Sequence, residues 1–196
     1  MILPIIAYGD PVLRKDCETI SSDYPDLKVL IENMYETMYD AFGVGLAAPQ
    51  VGLPIRLFVV DTSPFSEDED LTSEEQAQLK DFKRTFINAE MLEEDGDEWA
   101  FNEGCLSIPE VREDVFRKPK IKIQYQDADF NTHVEEFDGL IARVIQHEYD
   151  HIDGILFTDK LSTLKKRLIK SRLANISKGN IRVDYKMRFP AMKKKR

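Results

Sequence analysis

His147, Glu148, Tyr149, Asp150 and His151 are the residues of this 196-residue chain whose types and spacing most directly imply chemistry. Positions i and i+4 of a helix share a face, so both imidazoles can bind one metal ion while Glu148 points at an adjacent water as a general base. The chain holds only three histidines, so composition does not generate this spacing. The structural alternative, two satisfied histidines in a core helix, leaves the interposed Glu148 without a use. Catalytic sites usually have three protein ligands, and the inventory for the third is small. His133 sits in an expected strand and reads as a surface residue, and Cys17 lies in a polar stretch. Cys105 follows Gly104 in NEGCLSIP, where the glycine permits a tight backbone path and the thiolate can bind a metal. Taken alone, Cys105 reads as buried filler more readily than as a ligand, and spacing alone points to zinc. A further segment, GVGLAAPQ at residues 43–50, carries too little side-chain volume to pack and suits close approach of its backbone to another group.

The elements that must position these residues follow from apolar periodicity. Leu27, Leu30, Ile31, Met34, Met38 and Phe42 recur at helical steps over Tyr24 to Phe42, and Gly43 is expected to stop that helix. IRLFVV (residues 55–60) and FINAEML (86–92) read as strands. Between them, residues 62–84 form an acidic surface insertion, with a helical turn expected over Ser73 to Phe82 behind a capping box in SEEQ. KIKIQYQD and THVEEF alternate apolar with polar residues across Ala128 to Asn131, a β-hairpin pattern. Asp138 to His151 returns to helical period and carries the histidines. A basic helix is expected from Thr158 to Asn175, with Leu161, Leu164, Leu168 and Ile169 along one side. The class is α+β, with antiparallel sheets packed around the helix that carries the histidines.

The net charge of −9 is unevenly distributed. Residues 165–196 carry 13 Lys or Arg against one acid, Asp184, a net of +12, which leaves −21 on residues 1–164. We expect one catalytic unit over 1–164 and a basic helix and tail over 165–196 that suits an anionic partner, most simply RNA. There is no apolar run of 18 residues, and Pro4, Gly9 and Pro11 interrupt any signal-peptide pattern, so no membrane span is expected. Two cysteines are too few for a disulfide framework, and a reduced, cytoplasmic setting follows.

GVGLAAPQ at 43–50, EGCLS at 103–107 and QHEYDH at 146–151 resemble, in order and spacing, the three signature motifs of bacterial peptide deformylase, and the resemblance extends from IIAYGDPVLRK to about Lys160. It implies Cys105, His147 and His151 as ligands of one divalent ion. Ferrous iron is then the native ion, and nickel, cobalt or zinc can take its place. The implied reaction removes the formyl group from N-formylmethionyl peptides by attack of a metal-bound water, with Glu148 as general base and the Gln50 amide and Leu106 N–H as oxyanion donors. In the same segments, Val44 to Leu46, including Gly45, can pair with an extended peptide. Gly104 counts among the substrate-binding positions. Leu140 and Val144 lie one and two turns before His147 and could line a slot for methionine with Val44. Asp150 is expected to orient a ligand imidazole or to hold the helix to a neighbour, and Glu103 to anchor the metal loop. The basic helix matches the family in kind, and the resemblance implies docking on the ribosome, Lys165, Lys166, Arg167 and Lys170 contacting rRNA, while DNA is not an expected partner. The acidic stretch is longer than the family's usual loop, which affects the rim of the cleft rather than the reaction.

Two other readings compete. A zinc endopeptidase of the HExxH type would cleave internal peptide bonds, but Cys105 in EGCLS and the lack of a downstream ligand motif argue against it. An RNA-binding protein with a structural metal would need four protein ligands, and only Cys105, His147 and His151 form a coherent set.

Overall fold

The elements run β1 (Ile5–Ile6), α1 (Leu27–Asp40), β2 (Gly45–Ala47), β3 (Leu57–Asp61), α2 (Ser73–Lys80), β4 (Lys83–Asp95), β5 (Trp99–Cys105), β6 (Ile108–Arg117), β7 (Lys120–Gln126), β8 (Thr132–Phe137), α3 (Gly139–Ile152), α4 (Thr163–Ser177) and β9 (Met187–Arg188). The computed structural model describes residues 1–190, and Lys193, Lys194, Lys195 and Arg196 of the basic tail lie outside the described residues. Five strands form one antiparallel sheet in the order β2-β3-β4-β7-β8, β5 and β6 form a separate hairpin, and β1 pairs in parallel with β9. The class is α+β, as expected from the sequence.

The uninterrupted apolar run in β3 reflects burial on both faces, since neighbouring side chains of a strand point opposite ways. Phe58 and Val60 pack with Phe86, Ile123, Ala142 and Ile145 on the side of α3. Leu57 and Val59 pack with Ile31, Met34 and Met38 of α1. A third cluster joins Ile108, Val111 and Val115 of β6 to Leu156, Phe157 and, from α4, Ile169 and Ile176. The β4 strand bends between Ile87 and Glu90, where Asn88 adopts φ 51° and its side chain bonds the backbone of Ile20 and the Gln126 side chain.

Three local expectations shift. The reversal after α1 falls on Phe42, with φ 55°, rather than on Gly43. Gly43 instead leaves room for a neighbour, because a Cβ there would stand 2.7 Å from Leu106 Cδ1 and that side chain would have to shift. The capping box of α2 is Thr72 with Glu75, one residue earlier than SEEQ: Thr72 Oγ1 accepts the Glu75 N–H at 3.3 Å and the Glu75 carboxylate accepts the Thr72 N–H at 2.9 Å. The basic helix begins at Thr163, because Phe157–Lys160 form a 3₁₀ turn and the Ser162 hydroxyl accepts the Lys165 N–H. Its inward stripe is then Ile169, Leu173 and Ile176, while Leu164 and Leu168 face outward. Among the described residues no helix is long and apolar enough to cross a membrane.

Ile169 is 2% exposed and its neighbour Leu168 is 70% exposed, which gives a direct test of this facing. Ile169→Ala is expected to lower the unfolding free energy by about 2–4 kcal/mol. Leu168→Ala should cost less than about 0.5 kcal/mol. Urea unfolding midpoints measure both, and equal losses would contradict the facing of α4.

Candidate active site

Helix α3 packs Ala142, Ile145 and Ile152 against the five-stranded sheet, which leaves His147 and His151 on the side that meets the β5–β6 hairpin. Cys105 is the last residue of β5, and the ladder with β6 shifts register between Gly104 and Cys105. Such a bulge re-aims the next side chain, here toward the helix. The donor atoms of Cys105, His147 and His151 all lie within 4.8 Å of one another, and Cys105 Sγ is 3.3 Å from His151 Nε2. Gln50, buried in the 3₁₀ turn Ala48–Val51, completes the group. Its Oε1 accepts the Ala47 N–H at 2.8 Å, so its amino group faces Cys105 Sγ at 3.5 Å and Ser107 Oγ at 3.3 Å.

Glu148 is buried beside this cluster, and among the described residues its Oε2 has no hydrogen-bond partner. Burial pushes its carboxyl up to about 7. The close neighbour is Gly45 of β2, where a Cβ would stand 2.4 Å from Glu148 Oε1. A glycine is therefore required for the strand to pass over the carboxylate. The close backbone approach expected of GVGLAAPQ is met here.

Glu103 has the opposite surroundings. Its Oε1 accepts from Arg117 Nε at 2.7 Å and Arg143 Nη1 at 3.1 Å, and its Oε2 accepts from Arg117 Nη2 at 3.0 Å and His147 Nδ1 at 2.9 Å. Although burial opposes its charge, the bonds to His147 and Arg117 hold its pKa far below the ordinary carboxylate value. Because an ionised carboxylate only accepts, His147 carries its proton on Nδ1 and presents Nε2 to the cluster. Asp150 does not reach a ligand imidazole. It accepts from Arg117 Nη1 at 2.6 Å and so holds α3 to β6, the second of its two expected roles.

The cleft over the cluster has a volume of about 380 Å³. Val44, Gly45, Gln50, Gly104, Cys105, Leu106, Val144, His147 and Glu148 all border it. Leu140 does not: it borders a separate groove with Leu79, Pro119 and Ile141. Helical spacing put it in line with His147, but it sits on the first turn of α3, roughly 10 Å along the axis from His147 at 1.5 Å per residue, where α2 and the β6–β7 connection approach. Gly104 also makes room within the hairpin, since a Cβ there would stand 2.7 Å from Arg112 Nη1. Phe65 and Phe101, set edge to face with centroids 6.5 Å apart, supply apolar wall that no sequence pattern marked, and Phe65 comes from the acidic stretch. The buried Arg117 and Arg143 were missed as well. Their signal was available: each is an arginine at an inward position, beside Val115 on β6 and one turn before His147 on α3.

These residues fit a divalent metal ion. Donors of a tetrahedral ion stand about 3.3–3.8 Å apart for ligand distances of 2.0–2.3 Å, the range of the Cys105–His151 pair. Burial pushes the His151 pKa well below its ordinary value and so keeps the ring neutral, the form that binds metals. Burial also opposes charge on His147, yet the nearby Cys105 and the bond to Glu103 raise its pKa well above the ordinary value.

The polypeptide deformylase family model matches residues 2–167. The peptide deformylase of Flavobacterium johnsoniae is 67% identical over the full length of both chains. That of Cytophaga hutchinsonii is 54% identical over 98% of this chain and all of its own. Among solved structures, the peptide deformylase of Legionella pneumophila superposes with a TM-score of 0.77 at 34% identity, covering 92% of this chain and 98% of that one. The Thermotoga maritima peptide deformylase gives 0.71 at 40% identity, over 83% and 99%. With the Cys105, His147 and His151 cluster beside a buried Glu148, this breadth of similarity places the chain in the polypeptide deformylase family.

Proposed function

We infer that the chain is a peptide deformylase, a metal-dependent amide hydrolase that removes the formyl group from nascent polypeptides. The observation that carries this reading is a buried Glu148 carboxylate, one oxygen of which has no hydrogen-bond partner among the described residues, beside three convergent metal donors in a chain of this family. Cys105, His147 and His151 hold the ion, which we assign as Fe(II) on the family resemblance. The thiolate is a soft donor, and the same set would hold Zn, Ni or Co. When bound, such an ion polarises the formyl oxygen and lowers the pKa of water.

The remaining steps belong to side chains. Glu148 takes the proton of the attacking water and returns it to the departing amine, work suited to a carboxyl raised toward neutrality by burial. Gln50, its amide orientation set by the Ala47 N–H, and the Leu106 N–H donate to the oxyanion that develops on the formyl group. An extended substrate adds to β2, which is an edge strand of its sheet, along Val44 to Leu46. Its methionine side chain fills the wall made by Val44, Val144, Phe65 and Phe101. Residues 1–164 hold the metal-binding and proton-transferring side chains and work in the cytoplasm, and the basic segment 165–196 docks on ribosomal RNA. Lys165 and Lys166 are partly committed, to Glu113 at 3.1 Å and the Asp159 carbonyl at 2.7 Å, so the docking charge falls on Arg167, Lys170 and Arg172, which are exposed.

Formate release from formyl-Met-Ala-Ser by anaerobically purified protein tests the reaction. Glu148→Gln is expected to lower turnover by about 10²- to 10⁴-fold while metal content stays the same. A fully metallated wild type without formate release would end the reading. Glu103→Ala should weaken metal retention against a chelator by about 10- to 100-fold. The same change should destabilise the fold by about 3–5 kcal/mol, because Arg117 and Arg143 stay buried without their carboxylate. Reversing Arg167, Lys170 and Arg172 to Glu should flatten the salt dependence of ribosome co-sedimentation by about two to three in log–log slope, with tripeptide hydrolysis unchanged. An unchanged slope would remove the RNA assignment.

A further inference from the structure

The loop that carries Cys105 into the site is held from behind by both ends of the chain. The Tyr185 hydroxyl donates to the Leu106 carbonyl at 2.7 Å, and the Tyr8 N–H donates to the Ser107 carbonyl at 2.8 Å. Tyr185 also borders the catalytic cleft, and both its ring and the Leu106 side chain pack against the second core cluster. Its position is set one residue later by the β1–β9 pair, where Ile5 N–H donates to the Lys186 carbonyl at 2.8 Å and Ala7 N–H to the Arg188 carbonyl at 2.9 Å. This segment lies beyond residue 167, where the family match ends.

We propose that Tyr185 is a positioning residue for the deformylation reaction: by holding the Leu106 carbonyl it restrains the Leu106–Ser107 peptide, and with it the rotation of the preceding peptide, whose Leu106 N–H is thereby aimed at the oxyanion. The proposal rests on the deformylase reading and on Leu106 as an oxyanion donor. Leu106 and Ser107 are the two residues between β5 and β6, and their neighbours are already fixed. Cys105 faces α3, and Ser107 is bound through its hydroxyl by Gln50 and through its carbonyl by Tyr8. The freedom left is rotation of the peptide groups flanking Leu106; the Tyr185 hydroxyl restrains the Leu106–Ser107 peptide directly, and the preceding peptide is then limited between it and the fixed Cys105. A donor that must point at charge arising only in the transition state is sensitive to such rotation, whereas substrate binding along β2 is not.

The test is Y185F in the full-length, metal-loaded protein, which keeps the ring and removes the hydroxyl. With formyl-Met-Ala-Ser, kcat is expected to fall about tenfold or more while KM stays within about twofold and metal content and Tm match the wild type. A kcat equal to wild type overturns the proposal and leaves the deformylase reading intact. A fall in kcat that tracks lost metal or a lowered Tm also overturns it, since the hydroxyl would then serve the fold alone. Absence of formate release by the wild type would defeat the deformylase reading, and this proposal with it.

Discussion

Four donors converge on the buried Glu103 carboxylate, and the site can assemble only where all four reach it at once. An ionised carboxylate in the interior costs several kcal/mol unless each of its lone pairs is met. The donors come from Arg117 on β6 and from Arg143 and His147 on α3, so the saturated carboxylate ties hairpin to helix. A slip of β6 by one residue would turn Arg117 to the other face and leave Glu103 short of two bonds. Because Cys105 follows Glu103 by two residues in β5, the docking that seats His147 also brings the thiolate to it.

Glu148 shows the same side chain used in the opposite way. Both glutamates are buried, but Glu103 meets two guanidinium groups and an imidazole, while one oxygen of Glu148 meets no donor among the described residues and its flank is closed by Gly45. The first is held as an anion, and the second is raised to about 7. Environment alone separates a residue that positions a ligand from one that can move a proton. The free energy that Glu148 forgoes is supplied elsewhere, by the apolar packing on the two faces of β3.

What the sequence disclosed divides along physical lines. The His147–His151 pair, Glu148 and the amphipathic helix under them are local patterns of fixed period, and the fold class followed from similar patterns. Cys105 and Gln50 required the family resemblance, because their partners are distant in the chain and their own segments carry no periodic mark. Leu140 was misplaced because helical spacing gives a residue's face but not which neighbouring element covers each end of the helix. Arg117 and Arg143 went unread because arginines are counted as surface charge by default, although each interrupts an otherwise buried row. The left-handed Phe42 and the start of α4 at Thr163 were missed for another reason: turn geometry there is decided by tertiary packing and a serine cap rather than by glycine or apolar period.

The site therefore draws on residues 45–50, 103–107, 147–151 and 185, and it contains buried charges and a deliberately unsatisfied carboxylate. Such a region cannot drive its own assembly, since loop closure and desolvation both oppose it. The three apolar clusters must bring the segments together, and the β1–β9 pair then closes the chain's two ends behind the metal loop. The strong division of charge is compatible with this closure because α4 docks through an apolar stripe: Ile169 and Ile176 enter the third cluster, and among the described residues Lys165 and Lys166 are the helix's cations that bond to the body. The remaining basic side chains of α4 stay on its outer surface, so the exposed positive charge and the segment that supports the metal loop follow one another in the chain without competing for the same groups.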